Sequence, residues 1–362
     1  MKVLCIADKK GVKKEDFKNA TELYMKGAEV TIEVNEMEET DLHIIESDGP
    51  AGVPIPKGFF NQSEDTEIIL GGILCPFSRE IMEMFPKLKI IATCRGGIEN
   101  VDMEAAKEKG IMVVNGYGRN AEAVSDFTMA LMLSELRNVA RSHMRLKTED
   151  GWNNAFVNTP YMPHMCESTV GIFGLGYIGR LVAKKLTGFG CKIMVYDPFV
   201  PDEEIEKDGY IPAEKETLFK ESDIVTVHAR LVDATRGIIG KKEIDLMKPT
   251  AVFVNTARAG LVDYDALYDA LAEKRIGGAG IDVWPDEPMA ADSPWKKLDN
   301  VTMCSHMAGG VRAARPFAAK LVTQNAVNSM KGISTPQIIT KELLNDPKFT
   351  DWGKEAVREL EG

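Results

Sequence analysis

Short apolar runs alternate with longer amphipathic stretches along most of the chain. This alternation is typical of α/β folds, in which helices connect the parallel strands of a sheet. The runs form two series, which are separated by a long helical stretch without glycine or proline. We therefore predict an α/β protein with two doubly wound domains.

The first series predicts five strands, at residues 3–7, 29–34, 68–70, 90–93 and 111–114. The second series predicts six strands, at residues 170–173, 192–196, 224–227, 251–255, 278–283 and 301–304. Helices are predicted at residues 13–26, 78–85, 102–109 and 312–330, with one long helix over 120–147. An irregular piece is expected over 151–167, and a charged tail follows the last helix.

A glycine-rich turn opens the second series. Gly174, Gly176 and Gly179 form a G-x-G-x-x-G pattern between an apolar run and a helical stretch. Such glycines permit a tight turn, a close approach of a pyrophosphate to the backbone, and close packing of the helix on the strand. Asp197 ends the next strand, where a carboxylate accepts hydrogen bonds from ribose hydroxyls and repels a 2′-phosphate. The pattern predicts an NAD site; the alternative is a turn that binds no ligand.

The last three predicted strands are followed by Arg258, Glu287 and His306. In an open parallel sheet, ligands bind outside the carboxyl ends of the strands. Histidine acts as acid or base near neutral pH, a carboxylate orients it, and arginine grips a substrate carboxylate. We predict hydride transfer between NAD and the carbinol carbon of a small 2-hydroxy acid. Taken singly, the three residues have ordinary alternatives: a surface arginine, a turn glutamate and a helix-capping histidine.

Composition narrows the choice of partners. The 362 residues carry a formal net charge of −11, which argues against nucleic acid because phosphate binding requires a basic face. We find no apolar run long enough to cross a bilayer, and the first residues resemble a strand rather than a signal peptide. The six cysteines are scattered without a C-x-x-C pair. We expect a cytoplasmic protein with no disulfide, no metal site and no membrane partner.

Several motifs in a fixed order resemble those of one known family. They lie at residues 174–179, 223–228, 247–249, 255–263, 278–283 with 287–288, and 305–306. The chain resembles the D-isomer-specific 2-hydroxyacid dehydrogenases, a family that includes phosphoglycerate, glycerate and D-lactate dehydrogenases. The similarity covers nearly the whole chain.

The resemblance implies how the domains are arranged. A flavodoxin-like substrate domain is expected at residues 1–118, completed by the C-terminal segment 311–362. A Rossmann NAD-binding domain is expected at 119–310, with the helix over 120–147 as the interdomain element. Family members commonly dimerise through the cofactor domain, so a homodimer is expected.

The resemblance also implies roles for single residues. Arg258, Glu287 and His306 correspond to the catalytic trio of the family, and Asp282 corresponds to the residue that holds the nicotinamide amide. The residues expected at the cofactor are Gly174, Gly176, Tyr177, Ile178, Gly179, Asp197, His228, Thr256, Ala257, Arg258, Asp282, His306 and Gly309.

Residues 94–102 match the family loop whose backbone N–H groups hold the substrate carboxylate. Arg95 stands in this loop where many relatives have a small residue, and Arg230 stands where many have proline after the fourth cofactor-domain strand. The residues expected at the substrate are Arg95, Gly96, Gly97, Arg119 and Arg258. Arg95, Arg119 and Arg230 together suggest a phosphorylated or polyhydroxylated acid; the alternative for Arg230 is a solvated side chain.

Two other functions are alternatives to the dehydrogenase. Formate oxidation in this family pairs the histidine with glutamine, so Glu287 argues against it. A redox-sensing corepressor keeps the same trio, and long disordered tails and a peptide groove would distinguish it. The tail after Gly332 is short and mixed in charge. His164 is expected to be structural or exposed, with a contact to a partner subunit's site as the alternative.

Overall fold

The chain divides into two compact units in a computed structural model, which describes residues 1–148, 152 and 163–361. The first unit comprises Met1–Arg119 and Val311–Gly362, and the second comprises Asn120–Gly310. Most of the irregular piece predicted over 151–167 lies outside the described residues.

A five-stranded parallel sheet forms the centre of the first unit. Its strands are β1 (Lys2–Asp8), β2 (Glu29–Asn35), β3 (Ile68–Gly71), β4 (Ile90–Thr93) and β5 (Met112–Asn115). They lie in the order β2-β1-β3-β4-β5, which is the order of flavodoxin-like sheets. In this register Cys5 of β1 lies between Ile32 and Leu70.

A seven-stranded parallel sheet forms the centre of the second unit. Its strands are β6 (Thr169–Phe173), β7 (Lys192–Tyr196), β8 (Ile211–Pro212), β9 (Ile224–Val227), β10 (Val252–Asn255), β11 (Gly278–Ile281) and β12 (Val301–Met303). They lie in the order β12-β11-β10-β9-β6-β7-β8. The chain reverses its direction of travel across the sheet between β6 and β9, and doubly wound sheets bind ligands at such a switch point.

Helices flank both sheets. The helices in chain order are α1 (Lys14–Tyr24), α2 (Glu39–Asp48), α3 (Arg79–Glu83), α4 (Met103–Glu108), α5 (Ala121–Leu136), α6 (Val139–Thr148), α7 (Tyr177–Thr187), α8 (Asp202–Lys207), α9 (Lys215–Glu221), α10 (Lys241–Asp245), α11 (Tyr264–Ala272), α12 (Ala314–Met330) and α13 (Pro347–Glu361).

Alternate residues of the central strands face opposite helical layers. In β1, Cys5 belongs to the core beneath α1 and α12, whereas Leu4 and Ile6 belong to the core beneath α3 and α4. In the second unit, Val170 and Ile172 of β6 pack against apolar side chains of α5 and α7. Because these strands are covered on both faces, their sequences are continuous apolar runs.

The prediction of one continuous helix over 120–147 was wrong. The chain forms two helices there, and Asn138 between them adopts φ +55. This left-handed conformation ends α5, and asparagine is one of the few residues other than glycine that adopt it routinely. Apolar residues continue on both sides of the break, at Leu136 and Val139, so the hydrophobic pattern does not reveal it.

The charged tail contains a helix that the sequence pattern did not predict. Helix α13 buries Phe349, Gly353 and Ala356 against the first unit. A Cβ atom at Gly353 would lie 2.7 Å from the Met330 carbonyl oxygen, so only glycine allows this approach. The buried face of α13 is narrow, and the residues beside it in the sequence are charged. This explains why the hydrophobic pattern of the tail was too weak to predict a helix.

A buried ion pair connects α5 to α6. Arg141 Nη2 donates to both carboxylate oxygens of Glu135 and lies 2.8 Å from Oε2, and Thr302 Oγ1 of β12 donates to Oε2 at 3.0 Å. The Glu135 side chain is fully buried and that of Arg141 is 10% exposed. The pair therefore fixes the direction in which the chain leaves α5.

Replacing Glu135 alone should destabilise the protein strongly. Glu135→Leu leaves the guanidinium of Arg141 buried without its partner, which costs about 3–5 kcal/mol of unfolding free energy. The double variant Glu135→Leu/Arg141→Met removes both charges and should lose less. Urea unfolding followed by circular dichroism measures both values. A double variant less stable than Glu135→Leu would contradict this account.

Candidate active site

The glycine-rich turn after β6 packs directly against the chain after β9. Gly174 adopts φ +98, and a Cβ atom there would lie 2.7 Å from the Ala229 nitrogen. A Cβ atom at Gly179 would lie 2.1 Å from the Gly174 carbonyl oxygen. Helix α7 begins immediately after Gly176, which provides no side chain to cap it. The start of a helix that no side chain caps favours a pyrophosphate, as the NAD prediction requires.

Asp197 connects this turn to the end of β7. Its Oδ2 accepts a hydrogen bond from the Leu175 N–H at 2.7 Å, and its Oδ1 accepts one from the Phe199 N–H at 2.9 Å. Each oxygen keeps a lone pair, so the carboxylate can still accept hydrogen bonds from two ribose hydroxyls. The residues present thus fit an adenosine ribose without a 2′-phosphate.

His228 follows β9 and lies beside the glycine-rich turn, where a Cβ atom at Gly179 would be 3.6 Å from the Cβ atom of His228. Its Nε2 lies 3.0 Å from Thr226 Oγ1. Its Nδ1 is buried and has no hydrogen-bond partner among the described residues. Burial lowers the pKa of His228 to about 3, so the ring is neutral near pH 7. The residue offers an unpaired polar atom at the predicted cofactor site.

The structure brings His306 and Glu287 into contact. His306 Nδ1 lies 2.6 Å from Glu287 Oε2, and Glu287 Oε1 accepts a hydrogen bond from the Trp284 N–H at 2.8 Å. The imidazole is 45% exposed and the carboxylate 34% exposed. The pair is therefore oriented and accessible at once, with Nε2 of the ring unused by Glu287.

Asp282 holds the backbone on which His306 stands. Its carbonyl oxygen accepts from the His306 N–H at 2.8 Å, and its carboxylate accepts from the N–H groups of Met307 and Ala308, both at 2.9 Å. His306 itself adopts φ +52, a conformation that is costly for a residue with a side chain. The predicted contact of Asp282 with the nicotinamide amide stays a prediction; its contacts in the structure are with this loop.

Arg258 follows β10 and is exposed. Its guanidinium donates to the Ala257 carbonyl oxygen at 2.7 Å, and no other hydrogen bond joins it to the described residues. Asn255 fixes the backbone here, since its side chain accepts from the Ala257 N–H and donates to the Arg258 carbonyl oxygen. Thr256 is buried with its hydroxyl 2.8 Å from that of Thr128. The structure thus shows no contact between Arg258 and the His306–Glu287 pair.

Three other residues predicted at the cofactor lie in the same unit. Tyr177 and Ile178 form the first turn of α7, the former exposed and the latter half-buried. Gly309 follows the His306 loop, and a Cβ atom there would lie 2.3 Å from Asn120 Nδ2. These positions are compatible with cofactor binding, but their contacts do not by themselves indicate a bound cofactor.

The predicted substrate loop lies after β4 in the first unit. The Arg95 carbonyl oxygen accepts from the Gly116 N–H at 2.6 Å, and that of Gly96 accepts from Asn115 Nδ2 at 2.8 Å. The Arg95 side chain is almost buried and lies 3.4 Å from Glu99. A Cβ atom at Gly97 would collide with the Glu99 carboxylate.

The remaining candidates are less constrained. Arg119 is half-buried, whereas Arg230 and His164 are exposed.

Among the described residues, no group of histidine, cysteine, aspartate or glutamate side chains has the arrangement of a metal site. Over the same residues, none of the helices has the length and apolar character needed to span a membrane. All six cysteines are free thiols.

Comparison with known proteins decides the family. The model of the D-isomer specific 2-hydroxyacid dehydrogenase, NAD binding domain, matches residues 129–308. A glyoxylate reductase of Korarchaeum cryptofilum is 35% identical over 295 residues, which cover 80% of this chain and 88% of the relative. The chain belongs to the D-isomer-specific 2-hydroxyacid dehydrogenase family.

Two further comparisons place this dehydrogenase among its relatives. A D-3-phosphoglycerate dehydrogenase of Methanocaldococcus jannaschii is 36% identical over 270 residues, which are 74% of this chain and 51% of that relative. The NAD-complexed structure of a D-isomer-specific 2-hydroxyacid dehydrogenase from Lactobacillus delbrueckii has a TM-score of 0.72 at 22% identity and covers 94% of this chain and all of that one. The latter likeness shows the shared fold.

Family membership confirms several predictions. The resemblance, the two doubly wound α/β domains and the NAD cofactor are confirmed. The dehydrogenase is an NAD-dependent oxidoreductase that acts on the CH–OH group of 2-hydroxy acids or on the corresponding 2-keto acids.

Sequence reasoning missed the residues that hold the site in place. The Tyr264 hydroxyl donates to the Val283 carbonyl oxygen at 2.5 Å and lies 3.3 Å from Asn255 Nδ2, so it links the chain after β10 to the chain after β11. The Trp284 indole donates to the Cys304 carbonyl oxygen at 2.8 Å and links β11 to β12. The only sequence signal for Tyr264 and Trp284 was an aromatic side chain with a polar end, and such a side chain also fits an ordinary core position.

The buried imidazole of His228 should make stability depend on pH. Between pH 6.5 and about 3, the unfolded chain binds a proton on this ring that the folded chain does not. This difference lowers the unfolding free energy of the wild type by up to about 1.4 kcal/mol per pH unit as the pH falls through that window. His228→Gln removes this contribution, so its stability should fall less steeply with acid.

Urea unfolding at several pH values measures the difference between the two proteins. His164→Gln, which replaces an exposed imidazole, is the matched control. Parallel curves for the wild type and His228→Gln would show that the His228 ring is not kept neutral by the fold.

Proposed function

We propose that the dehydrogenase moves the substrate proton through His306. The 2.6 Å contact between His306 Nδ1 and Glu287 Oε2 carries this proposal. Because Nδ1 faces the carboxylate, Nε2 is the ring atom left for the substrate hydroxyl or keto oxygen. Bound NAD supplies the hydride acceptor in oxidation and the donor in reduction.

Glu287 supports proton transfer in both directions. During oxidation, Nε2 accepts the hydroxyl proton, and the carboxylate stabilises the imidazolium that forms. During reduction of a keto acid, Nε2 returns this proton to the oxygen. The Trp284 N–H on Oε1 keeps the carboxylate turned toward the ring.

Arg258 is the proposed clamp for the substrate carboxylate. Its guanidinium is exposed and makes one hydrogen bond to a carbonyl oxygen, so it can exchange that bond for a carboxylate at little cost. Two parallel N–H donors fit a carboxylate in bidentate fashion. The same charge polarises the neighbouring C2–O bond toward hydride transfer.

The proposed substrate is a phosphorylated or polyhydroxylated 2-hydroxy acid. The backbone N–H groups of Gly96 and Gly97 support a contact to the substrate carboxylate, whereas the Arg95 N–H donates to Thr93 Oγ1 at 3.3 Å. The side chains of Arg95 and Arg119 in the first unit support recognition of a further anionic group or of several hydroxyls, and the same role for Arg230 of the second unit stays a prediction. The relative named for phosphoglycerate supports this choice, whereas the relative named for glyoxylate is named for an acid with neither a phosphate nor several hydroxyls.

A homodimer in the cytoplasm is the proposed state of the protein. Helix α6 of the NAD-binding unit exposes Val139, Met144 and Leu146, each more than half accessible. Three large apolar side chains on one short helix are typical of a surface that another chain covers. Six free thiols fit a reducing compartment.

Loss of the His306 imidazole should lower turnover without loss of NADH binding. His306→Asn should reduce kcat by about 10²- to 10⁴-fold, the usual contribution of a positioned acid or base. Glu287→Gln should reduce it less, since the ring remains. Absorbance of NADH with a panel of 2-keto acids measures turnover, and fluorescence titration measures NADH binding. The control is His143→Asn, an exposed imidazole on α6; full turnover by His306→Asn would refute the assignment.

Removing the negative charge of Asp197 should weaken the preference for NADH over NADPH. Asp197→Asn keeps the shape and one acceptor oxygen but no longer repels a 2′-phosphate. The ratio of kcat/KM for the two cofactors should fall by about tenfold or more, equivalent to about 1.4 kcal/mol. Asp202→Asn, at the exposed start of α8, is the control. An unchanged ratio in a fully active Asp197→Asn would remove Asp197 from cofactor selection.

A further inference from the structure

The loops after β4 and β5 are held together at the carboxyl edge of the first sheet. β4 and β5 are hydrogen-bonded neighbours, and the loop bonds from Gly116 to Arg95 and from Asn115 to Gly96 continue their pairing. Arg95 and Arg119 are therefore brought to the same part of the first unit.

A third arginine reaches the same place from a distant part of the sequence. Arg315 lies in the first turn of α12, which packs against β4 and β5. Burial lowers the pKa of the Arg119 guanidinium, and the nearby positive charges of Arg95 and Arg315 lower it further. Arg119 and Arg315 make no side-chain hydrogen bond or ion pair with the described residues.

The acidic groups nearby do not balance this charge. The carboxylate of Asp8 accepts hydrogen bonds from the backbone N–H groups of Val12, Ile73 and Leu74. Glu99 is half-exposed and pairs with Arg95 alone. Burial raises the pKa of the Cys94 thiol, which therefore stays uncharged beside Arg119.

The start of α12 adds to the positive potential. This helix has 17 residues, and its N-cap residue, Ala313, has no side chain that accepts a hydrogen bond from the first turn. The N–H groups of Ala314, Arg315 and Phe317 are bonded to carbonyl oxygens of the preceding residues, and Pro316 has no N–H. The helix dipole is therefore what favours an anion at this terminus. Arg95 and Arg315 thus lie within electrostatic range of Arg119, in a chain whose net charge is −11.

We propose that Arg95, Arg119 and Arg315 form a binding site for the phosphate group of a phosphorylated 2-keto or 2-hydroxy acid. A phosphate monoester offers three oxygens and about two negative charges, which match several guanidinium forks better than a hydroxyl does. The inference rests on the proposed function, because the Arg95 loop is also the proposed site of the substrate carboxylate. It adds Arg315, which no motif indicated.

The first test compares two acids that differ only in the phosphate. KM is measured with NADH for 3-phosphohydroxypyruvate and for hydroxypyruvate. Arg315→Gln should raise the KM for the phosphorylated acid by about tenfold or more, the effect of losing one charged hydrogen bond. The KM for hydroxypyruvate should stay within about twofold, as for an exposed charge remote from the ligand. Arg312→Gln, an exposed arginine one turn earlier, should change neither value.

The second test needs no turnover. Calorimetric titration of the full chain with inorganic phosphate at constant ionic strength should show binding to the wild type and to Arg312→Gln, and weaker binding to Arg315→Gln. Phosphate binding that depends on Arg315 in a protein that reduces neither acid would support this site and count against the proposed chemistry. Turnover of both acids with equal KM, or phosphate binding unaffected by Arg315→Gln, would overturn the site and leave the chemistry standing.

Discussion

All strands of both sheets are parallel, and this constraint decides where the chemistry lies. A parallel connection must return to the starting edge of the sheet before the next strand begins, so every loop that follows a strand lies at one edge. In the NAD-binding unit this edge carries the glycine-rich turn, His228, Arg258 and His306. In the first unit it carries Arg95 and Arg119. Residues far apart in sequence lie at the same edge of each sheet because the topology places every such loop there.

In the NAD-binding unit, a few polar contacts set the geometry of His306 and Glu287, the proposed reacting groups. Asp282 uses its carbonyl and both carboxylate oxygens to hold the loop after β12, which keeps His306 in a left-handed conformation. Glu287 divides its two oxygens between the Trp284 backbone and the imidazole. The proposed acid–base pair is therefore held in place by backbone contacts of its own unit, and such preorganisation lowers the reorganisation needed during reaction.

The sequence was most informative where local physics alone determines structure. Apolar runs identified the strands of both sheets except the short and partly exposed β8, and the glycine spacing identified the turn at Gly174. It was least informative where tertiary contacts decide: the left-handed Asn138, the narrow buried face of α13, and the placement of Arg315 beside Arg119. In the sequence, the whole NAD-binding unit lies between Arg119 and Arg315. No local sequence pattern could therefore predict that the two residues are near each other.

The position of α12 has a consequence for how the chain is made. The sheet of the first unit is completed at residue 115, but the helix that covers its centre begins at Ala314. During synthesis from the N-terminus, the ribosome therefore releases an unshielded apolar sheet face, with Leu70, Ala92 and Val114 on it, before it has made the NAD-binding unit. The second unit has all its own segments first and can fold first. The domain that starts the sequence is therefore the last to be finished.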